Sequence, residues 1–260
     1  MALAVAGASG RMGRCVLELA CRDPRFQIAA ALTRSDDSRA GVSCAIGEVE
    51  VVLLKDLRAP CDVLIDFTVG DGTLVWLETC VARRIPMVIG ATGHDEPALV
   101  QIREASRTIP VVKDANYSTG IHALLAMLGP LVRKLGDGYD IEIVETHHRH
   151  KLDAPSGTAL LLLDEILRAN GRTRDGHVLF GRSGRSEERA KGQIGVHAVR
   201  MGEIVGRHEI HLSGPGETLT LIHAAQSREA FAAGALRAAQ WVVGRSPGLY
   251  SMRDVLGPRD

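Results

Sequence analysis

The sequence predicts an α/β protein: an N-terminal, doubly wound parallel sheet followed by a second, α+β domain whose open sheet is mostly antiparallel. Three observations predict this fold. Short apolar runs alternate with stretches of helical periodicity from residue 3 to residue 112, a pattern typical of strands joined by helical crossovers. A glycine-rich turn (Gly7–Gly13) directly follows the first apolar run. Between residues 194 and 223, three runs with period-two patterning replace the alternation.

The amino-acid composition argues against several classes of protein. Hydrophobic residues make up 45% and charged residues 24% of the 260 positions, as in ordinary globular domains. The 31 Lys and Arg residues balance 31 Asp and Glu residues, so no nucleic-acid partner is expected. No apolar run approaches the ~18 residues of a membrane span, and Met1–Ala6 lacks the basic start of a signal peptide. No membrane partner is therefore expected.

The five cysteines indicate a reducing compartment. They are odd in number, scattered, and free of any C-x-x-C pair, which is typical of reduced thiols in a cytoplasmic protein and not of a disulfide frame or a zinc site. We therefore expect a cytoplasmic protein and no bound metal.

The first domain begins with a strand, a glycine turn and a helix. The apolar run at 3–6 ends at the turn, a helical pattern follows, and a second strand is predicted at 27–32. In this order the glycines let a backbone approach a pyrophosphate at the helix N-terminus. The G-x-x-G-x-x-G spacing departs from G-x-G-x-x-G, and some glycine turns only pack a helix closely. Because the turn is N-terminal and a second strand follows, we interpret residues 1–119 as a Rossmann-type dinucleotide-binding domain.

The remaining elements of the first domain continue the alternation. They are predicted in the order strand 51–54, strand 62–66, helix 73–83, strand 86–90, helix 96–106 and strand 109–112. Ligands of open parallel sheets bind beyond the carboxyl ends of the strands. We therefore expect ligand contacts at Thr68, at residues 91–92 and at residues 114–118, each of which follows a predicted strand.

The second domain is predicted to span residues 120–227. Its predicted elements are a helix at 120–135, a strand at 139–145, a helix at 158–167, a mobile polar loop at 170–191, and strands at 194–200, 204–212 and 217–223. Turns at Met201–Gly202 and Gly214–Gly216 are expected to join these last strands into a mostly antiparallel sheet. A final helix (229–243) is expected to return to the first domain, which residues 228–260 would complete.

The stretch from Glu145 to Thr158 combines three kinds of functional group. His147, His148 and His150 stand beside an arginine and a lysine within five positions. Ser156 then precedes an apolar helical run as a suitable N-cap, and helix N-termini attract carboxylates and phosphates. Proton donors, fixed cations and an anion-binding turn therefore meet here. We interpret the stretch as a site for a small polyanionic substrate that undergoes proton-coupled chemistry.

Three other interpretations of this stretch are possible, and each is less favoured. A solvated polar loop would explain the charges but not the anion-binding turn that follows. A zinc site would use the histidines, but adjacent His147 and His148 on an extended segment point in opposite directions. A hydrolase built on Ser156 would need a G-x-S-x-G elbow, which the sequence lacks.

Six segments together resemble the dihydrodipicolinate reductase family. They are Val5–Gly13, Asp66–Thr68, Gly90–Gly93, Asn116–Ser118, His147–Ala159 and Ser251–Leu256. The similarity covers essentially the whole chain, and the His147–Ala159 block is close to diagnostic. It implies an NAD(P)H-dependent oxidoreductase, 4-hydroxy-tetrahydrodipicolinate reductase, that reduces a cyclic imine dicarboxylate in lysine and diaminopimelate biosynthesis. It also implies a homotetramer formed through the sheet of the second domain.

The resemblance also implies roles for individual residues. His147 matches the general acid and Lys151 the second catalytic position. Substrate contacts are expected from His148, Lys151, Gly157 and Thr158. Ser156, the N-cap of the helix, is expected to contribute to the same anion-binding helix start. The residues expected to bind the cofactor are Gly7, Ala8, Ser9, Gly10, Arg11 and Met12 at the pyrophosphate, and Gly90, Ala91, Thr92, Asp114, Ala115, Asn116 and Tyr117 at the nicotinamide end.

The end of the second strand bears on the choice of cofactor. Thr33 stands where an acidic residue usually accepts from the ribose hydroxyls and repels a 2′-phosphate. Arg34 offers a planar fork of donors to that phosphate, so NADPH is the expected cofactor and NADH a possible one. As an alternative, Asp36 or Asp37 folds back to serve the ribose.

Two other classes of function compete with the reductase. A different dehydrogenase on the same cofactor fold would be expected to carry a nucleophilic cysteine in its second domain, but every cysteine here precedes residue 81. A non-catalytic NAD(P)-binding regulator would have no need of the His147–Thr158 block.

Overall fold

A computed structural model describes residues 1–34, 36–47, 49–185 and 187–257, which form two compact units. One unit contains residues 1–119 and the C-terminal segment from Arg228; the other is Gly120–Ser227. The first unit consists of β1 (Ala2–Ala6), α1 (Arg11–Arg22), β2 (Gln27–Leu32), β3 (Ser43–Ile46), β4 (Val49–Leu54), β5 (Val63–Asp66), α2 (Gly72–Arg83), β6 (Met87–Ile89), α3 (Glu96–Ala105), β7 (Pro110–Lys113), α6 (Glu229–Val242), β13 (Gly248–Tyr250) and α7 (Met252–Leu256). The second consists of α4 (Thr119–Leu135, whose first residue lies in the first unit), β8 (Asp140–His147), α5 (Gly157–Asn170), β9 (Val178–Phe180), β10 (Ile194–Arg200), β11 (Gly206–Gly214) and β12 (Glu217–Ala225).

The sheet of the first unit confirms the predicted doubly wound architecture. Its strand order is β13-β7-β6-β5-β1-β2-β4-β3, and the paired strands are parallel except for β3, which is antiparallel to β4. The order reverses between β1 and β5, the point at which such sheets bind ligands. Strands β3 and β13 and helix α7 were not predicted, because each is short and carries little periodicity.

Helix α6 packs within the first unit, as expected for the helix predicted at 229–243. Gly234 on α6 approaches the backbone of Tyr117 so closely that a Cβ at Gly234 would lie 1.7 Å from the Tyr117 carbonyl oxygen. Alanines 232, 235, 238 and 239 are fully buried. The alanine-rich sequence of α6 therefore allows a close approach between this helix and the segment that follows β7.

The five-stranded sheet of the second unit is mixed. The order is β12-β11-β8-β10-β9, with antiparallel pairing among β12, β11 and β8 and parallel pairing among β8, β10 and β9. The predicted turn at Gly214–Gly216 does form the β11–β12 hairpin. Met201–Gly202 does not form one, because β10 and β11 lie on opposite sides of β8. The chain instead crosses the end of β8, where the Met201 amide donates to the His147 carbonyl at 2.9 Å.

The segment predicted as a mobile polar loop, 170–191, contains β9 and is attached to β8. Arg182 donates through both terminal nitrogens to Glu142 at 3.0 Å each, and Arg189 donates to the Ile141 carbonyl at 2.9 Å. Ser186 lies outside the described residues. These contacts correct the prediction, because they hold the segment along the strand that leads to His147.

Helices α4 and α5 bury one face of this sheet. Leu162, Leu163 and Ile166 of α5 are fully buried together with Ile143 and Ile210 of the strands. Among the described residues, no helix has the length and apolarity needed to cross a membrane.

Candidate active site

The glycine turn after β1 needs glycine at two positions. Gly7 has φ +76°, and a Cβ there would lie 2.6 Å from the Phe67 carbonyl oxygen. A Cβ at Gly13 would lie 2.2 Å from the Gly7 carbonyl oxygen, so α1 packs directly on the turn. The backbone of this turn, with no side chain in between, therefore faces the end of β5. A turn that binds a pyrophosphate requires such a bare backbone.

A cleft of about 500 Å³ opens beside this turn. Its lining includes Gly7, Ser9, Gly10, Thr33 and Arg34, all within the first unit. Of the other residues predicted to hold the pyrophosphate, Ala8 is buried, Met12 is half-buried and Arg11 is exposed. The structure thus places a concave surface at the carboxyl ends of β1 and β2, where the cofactor was predicted.

Asp37 folds back onto the end of β2. The buried Thr33 hydroxyl donates to Asp37 Oδ2 at 2.6 Å and lies 3.1 Å from the Ser9 hydroxyl. Arg39 donates to both carboxylate oxygens at 2.9 Å. These hydrogen bonds hold the pKa of Asp37 far below its usual range. The Asp37 carboxylate therefore lies beside Thr33, at the strand end where dinucleotide-binding domains usually carry an acidic residue.

Arg34, predicted to bind a 2′-phosphate, is paired with Asp36 in the structure. Its Nε and Nη2 donate to the two Asp36 oxygens at 2.8 and 2.6 Å. Both side chains are more than 60% exposed, and exposed ion pairs contribute little to stability. A ligand phosphate can therefore compete for this guanidinium.

The residues predicted at the nicotinamide end lie at the ends of β6 and β7. A Cβ at Gly90 would lie 2.2 Å from the Phe67 ring, so only glycine leaves room for that ring. Ala91 is buried, whereas Thr92 and Ala115 are exposed. Asn116 accepts a hydrogen bond from the Ser118 amide at 2.7 Å, which fixes the turn after β7.

Hydrogen bonds hold the side chains of Asp114 and Tyr117 after β7. Asp114 accepts a hydrogen bond from the Met252 amide at 3.0 Å, so its charge lies at the N-terminus of α7, where an anion is favoured. The Tyr117 ring is buried against Phe67, and its hydroxyl lies 2.8 Å from the Ile89 carbonyl and 3.1 Å from the Val112 carbonyl. Tyr117 therefore ties together the carboxyl ends of β6 and β7.

Replacing Tyr117 with phenylalanine is expected to lower the free energy of unfolding by about 1–3 kcal/mol, because the one buried hydroxyl donor that the two carbonyls share is lost. Urea unfolding of the wild type and of Tyr117→Phe measures the change. Tyr250→Phe is the matched control, since the Tyr250 hydroxyl also donates to a backbone carbonyl, at 3.0 Å, but at the surface. Equal effects of the two substitutions would contradict the buried contact.

His147 lies at the end of β8 and is 8% exposed. Its Nδ1 lies 2.5 Å from Oε2 of the fully buried Glu145. Burial raises the pKa of Glu145, but hydrogen bonds from His147 and Arg200 outweigh it and bring this pKa down to about 2. A carboxylate only accepts hydrogen bonds, so the proton of a neutral His147 resides on Nδ1. The other ring nitrogen, Nε2, lies beside Gly206, which carries no side chain; a Cβ there would lie 3.1 Å from it.

Ser156 begins α5 and lies in the same cluster. Its hydroxyl accepts from the Ala159 amide at 3.1 Å, which confirms the predicted N-cap. The same hydroxyl lies 2.9 Å from Nε2 of His208, whose ring contacts that of His147. Burial and then the neighbouring His147 lower the pKa of His208 to about 3. His208 is therefore neutral near pH 7 and adds no charge to the cluster.

The other residues predicted to contact substrate belong to the same segment of the chain as His147 and Ser156. Lys151 donates to both carboxylate oxygens of Asp153 at 2.8 Å. His148 and Thr158 are half-buried, and Gly157 is exposed at the first turn of α5. No group of three or more His, Cys, Asp or Glu side chains in the described part of the chain is arranged to hold a metal ion.

Four residues of the two sites were not identified from the sequence. Glu145 could have been found, because it precedes His147 by two positions on a strand and so shares its face. Arg200 and His208 come from other strands and carry no local signal. Phe67, whose ring lies against Gly90, was not singled out, although the adjacent Thr68 was predicted to contact ligand.

Comparison with known proteins identifies the family. Residues 1–117 match the N-terminal domain model of dihydrodipicolinate reductase, and residues 120–256 match the C-terminal one. The chain belongs to the dihydrodipicolinate reductase family. A 4-hydroxy-tetrahydrodipicolinate reductase of Thiobacillus denitrificans is 46% identical over 98% of both chains, and one of Burkholderia thailandensis is 42% identical over 100% of this chain and 99% of the relative.

Solved structures show the same fold. A dipicolinate-bound dihydrodipicolinate reductase from Paenisporosarcina sp. TG-14 aligns with a TM-score of 0.76 at 22% identity, over 98% of each chain. An aspartate semialdehyde dehydrogenase from Vibrio cholerae aligns less well, with a TM-score of 0.56 at 12% identity. Membership of the reductase family thus agrees with the mixed α/β architecture of both units.

Proposed function

We propose that this chain is a 4-hydroxy-tetrahydrodipicolinate reductase of lysine and diaminopimelate biosynthesis in which His147 donates the proton. The activity follows from family membership along the whole chain. The observation that supports the role of His147 is its placement: a histidine oriented by a buried carboxylate lies in one cluster with the N-cap of an anion-binding helix. The substrate is a cyclic imine dicarboxylate, so it needs both a proton and anion contacts.

The first unit fits a dinucleotide cofactor. In its glycine turn, a Cβ at Gly7 or Gly13 would clash with neighbouring backbone atoms, so only glycine fits there. The adjoining cleft reaches Thr33 and Arg34 at the end of β2. When bound, NAD(P)H supplies the hydride for the reduction. The pyrophosphate is assigned to Gly7–Met12, and the nicotinamide end to Gly90–Thr92 and Asp114–Tyr117.

His147 supplies the proton in this mechanism. Hydride addition to the ring places electron density on a neighbouring atom, which must be protonated, and a positioned histidine suits that task near neutral pH. Glu145 accepts from Nδ1, so protonated His147 gives up the proton on Nε2. The Glu145 carboxylate also stabilises the protonated imidazolium before transfer.

The carboxylates of the substrate are assigned to the start of α5 and to the cations beside it. Gly157 and Thr158 occupy the first turn of α5, where backbone N–H groups and the helix dipole favour anions. Lys151 supplies a compact positive charge and His148 a further hydrogen-bonding group. The positive charge of Lys151 lies only four residues from the proton donor His147.

NADPH is proposed as the preferred cofactor. Thr33 brings no charge against a 2′-phosphate, and Arg34 and Arg39 both line the cleft. Asp37 opposes this preference, because its carboxylate lies beside Thr33 and Ser9 at the same strand end. We therefore expect only a modest preference for NADPH over NADH, and appreciable activity with NADH.

Arg34→Ala is expected to weaken NADPH about 10- to 100-fold, the effect of one charge-assisted contact of ~1.5–3 kcal/mol, and to leave NADH nearly unchanged. Asp37→Asn is expected to raise the NADPH:NADH ratio of kcat/KM, since it removes the opposing charge. Steady-state kinetics with both cofactors at low salt measure these ratios. Arg58→Ala is the control, because Arg58 forms a similar exposed pair with Asp56 away from the cleft. An unchanged NADPH affinity in Arg34→Ala would contradict the assignment.

The activity itself is tested by NADPH oxidation with the freshly made condensation product of pyruvate and aspartate semialdehyde. A reductase consumes NADPH only when this product is present. A regulator would bind the cofactor without oxidising it, and a homoserine-type dehydrogenase would oxidise NADPH while it reduces the aldehyde before condensation.

We also infer a cytoplasmic homotetramer formed through the sheet of the second unit. Ile222 on the edge strand β12 is 51% exposed and lies on the sheet face opposite to Leu221, which packs against the core of this unit, so the opposite face offers apolar surface to another subunit. Sedimentation of the purified protein tests the subunit number, and Ile222→Asp is expected to lower it.

A further inference from the structure

The buried carboxylate of Glu145 connects three elements of the second unit. Oε2 contacts His147 Nδ1 at 2.5 Å and accepts from Arg200 Nη1 at 2.8 Å. Oε1 accepts from Arg200 Nη2 at 2.8 Å and from the Ser156 amide at 3.0 Å. Each oxygen therefore has two donors. One carboxylate thus joins the end of β8, the end of β10 and the first residue of the anion-binding turn.

Arg200 extends this connection to the segment before α5. Its Nη2 also donates to the Asp153 carbonyl at 2.6 Å, and its side chain is only 20% exposed. Because a bidentate arginine fixes both the distance and the plane of its carboxylate, Arg200 leaves Glu145 little freedom to turn away from His147.

We propose that Glu145 is a positioning residue for the reductase: it fixes the ring of His147 with Nε2 as the proton-donating atom and sets that atom relative to the start of α5. The inference rests on the proposed role of His147. It goes beyond that role because it assigns the orientation of the donor to one carboxylate and to the arginine that holds it. Glu145 itself touches no substrate in this mechanism.

The consequence for the chemistry concerns the atom that carries the proton. If Glu145 were an amide, Nδ1 of His147 would face either an oxygen or an NH₂ group, and the ring would lose its single favoured tautomer and orientation. The lost function would then lie in proton donation, while the backbone contacts of α5 to the substrate would remain. A larger change in kcat than in KM is therefore expected.

The experiment is a double-mutant cycle with Glu145→Gln, His147→Gln and the double variant, measured as kcat under saturating NADPH and dicarboxylate. We expect Glu145→Gln to lower kcat about 10- to 100-fold, with KM for the dicarboxylate changed less than about threefold. If Glu145 acts through His147, the double variant loses no more activity than His147→Gln alone, because coupled residues are non-additive. Multiplicative losses would overturn the proposal, as would near wild-type kcat in Glu145→Gln.

Glu142→Gln is the matched control. Glu142 lies on the same strand and is likewise paired with arginine and histidine, through Arg182 at 3.0 Å and His197 at 2.7 Å. It lies an odd number of residues from His147 and so on the other face of β8. Glu142→Gln is expected to keep kcat within about twofold of the wild type. A comparable loss in this control would mean that any β8 carboxylate matters, which would also overturn the proposal.

Two further measurements keep the outcome interpretable. If Glu145→Gln does not fold, the cycle is repeated with Arg200→Lys, which keeps the charge and removes the bidentate contact; the same non-additivity with His147→Gln is expected. In wild-type protein, proton NMR should show a downfield imidazole N–H signal that His147→Gln abolishes. Its absence would overturn the Glu145–His147 contact even if no activity is found. Inactive wild-type protein, or a fully active His147→Gln, would instead contradict the proposed function.

Discussion

Replacing His147 with glutamine is expected to lower kcat by about 10²–10⁴, the usual contribution of a positioned proton donor. Glutamine is similar in size and can still accept or donate near Glu145, so the fold of β8 should be retained. Its amide cannot release a proton at neutral pH. Binding of NADPH and of the dicarboxylate should change little, because neither depends on the acidity of the group. Steady-state kinetics, with circular dichroism to verify the fold, measure the effect.

The matched control for this prediction is His148→Gln. His148 is adjacent in sequence but half-buried and assigned to substrate binding, so its loss should affect KM more than kcat. If His148→Gln abolished turnover while His147→Gln kept near wild-type kcat, the two roles would be reversed.

Local sequence patterns predicted the first unit well. The β1–α1–β2 segment has an apolar run, a glycine turn and a helical face within about thirty residues, and each is decided by neighbours along the chain. The clashes that a Cβ would meet at Gly7 and Gly13 show why the turn is rich in glycine. Parallel order then follows from the handedness of the crossovers.

Strand partners in the second unit were harder to predict. The period-two pattern of Ile194–Arg200 indicates a strand, but it does not reveal which strand lies beside it. In the structure Ile194–Arg200 (β10) lies parallel to β8, and the Met201–Gly202 connection crosses the end of β8 instead of closing a hairpin. This crossing passes beside His147, so the feature that was misassigned is also part of the site.

His147 and the helix that follows it were recognised as one candidate site because they lie within one segment, whereas the residues that contact them were not recognised. Arg200 and His208 reach the site from other strands through sheet pairing, which sequence spacing does not encode. Asp37 is a different case: it lies four residues after Thr33, and the alternative in which it serves the ribose end gained support only from its contact with the Thr33 hydroxyl.

Replacing Lys151 with alanine is expected to raise KM for the dicarboxylate about 10- to 100-fold, since a charged hydrogen bond contributes ~1.5–3 kcal/mol. We also expect kcat to fall, because the Lys151 cation would stabilise the negative charge that develops during reduction. The structure adds a condition to this prediction. Lys151 is already paired with both oxygens of Asp153, so the substrate carboxylate must share or replace that partner.

Variants of Lys151 and Asp153 distinguish direct binding of the substrate by Lys151 from general electrostatic attraction. Lys151→Arg keeps the positive charge and should recover part of the affinity, although its planar fork does not match a compact ammonium site. Asp153→Asn removes the competing carboxylate and should lower KM modestly or leave it unchanged. Lys134→Ala, on the exposed end of α4, is the control for general electrostatic attraction and should have no effect at 0.15 M salt, where the screening length is about 8 Å. An unchanged KM in Lys151→Ala would remove Lys151 from the binding site and leave the start of α5 as the principal anion contact.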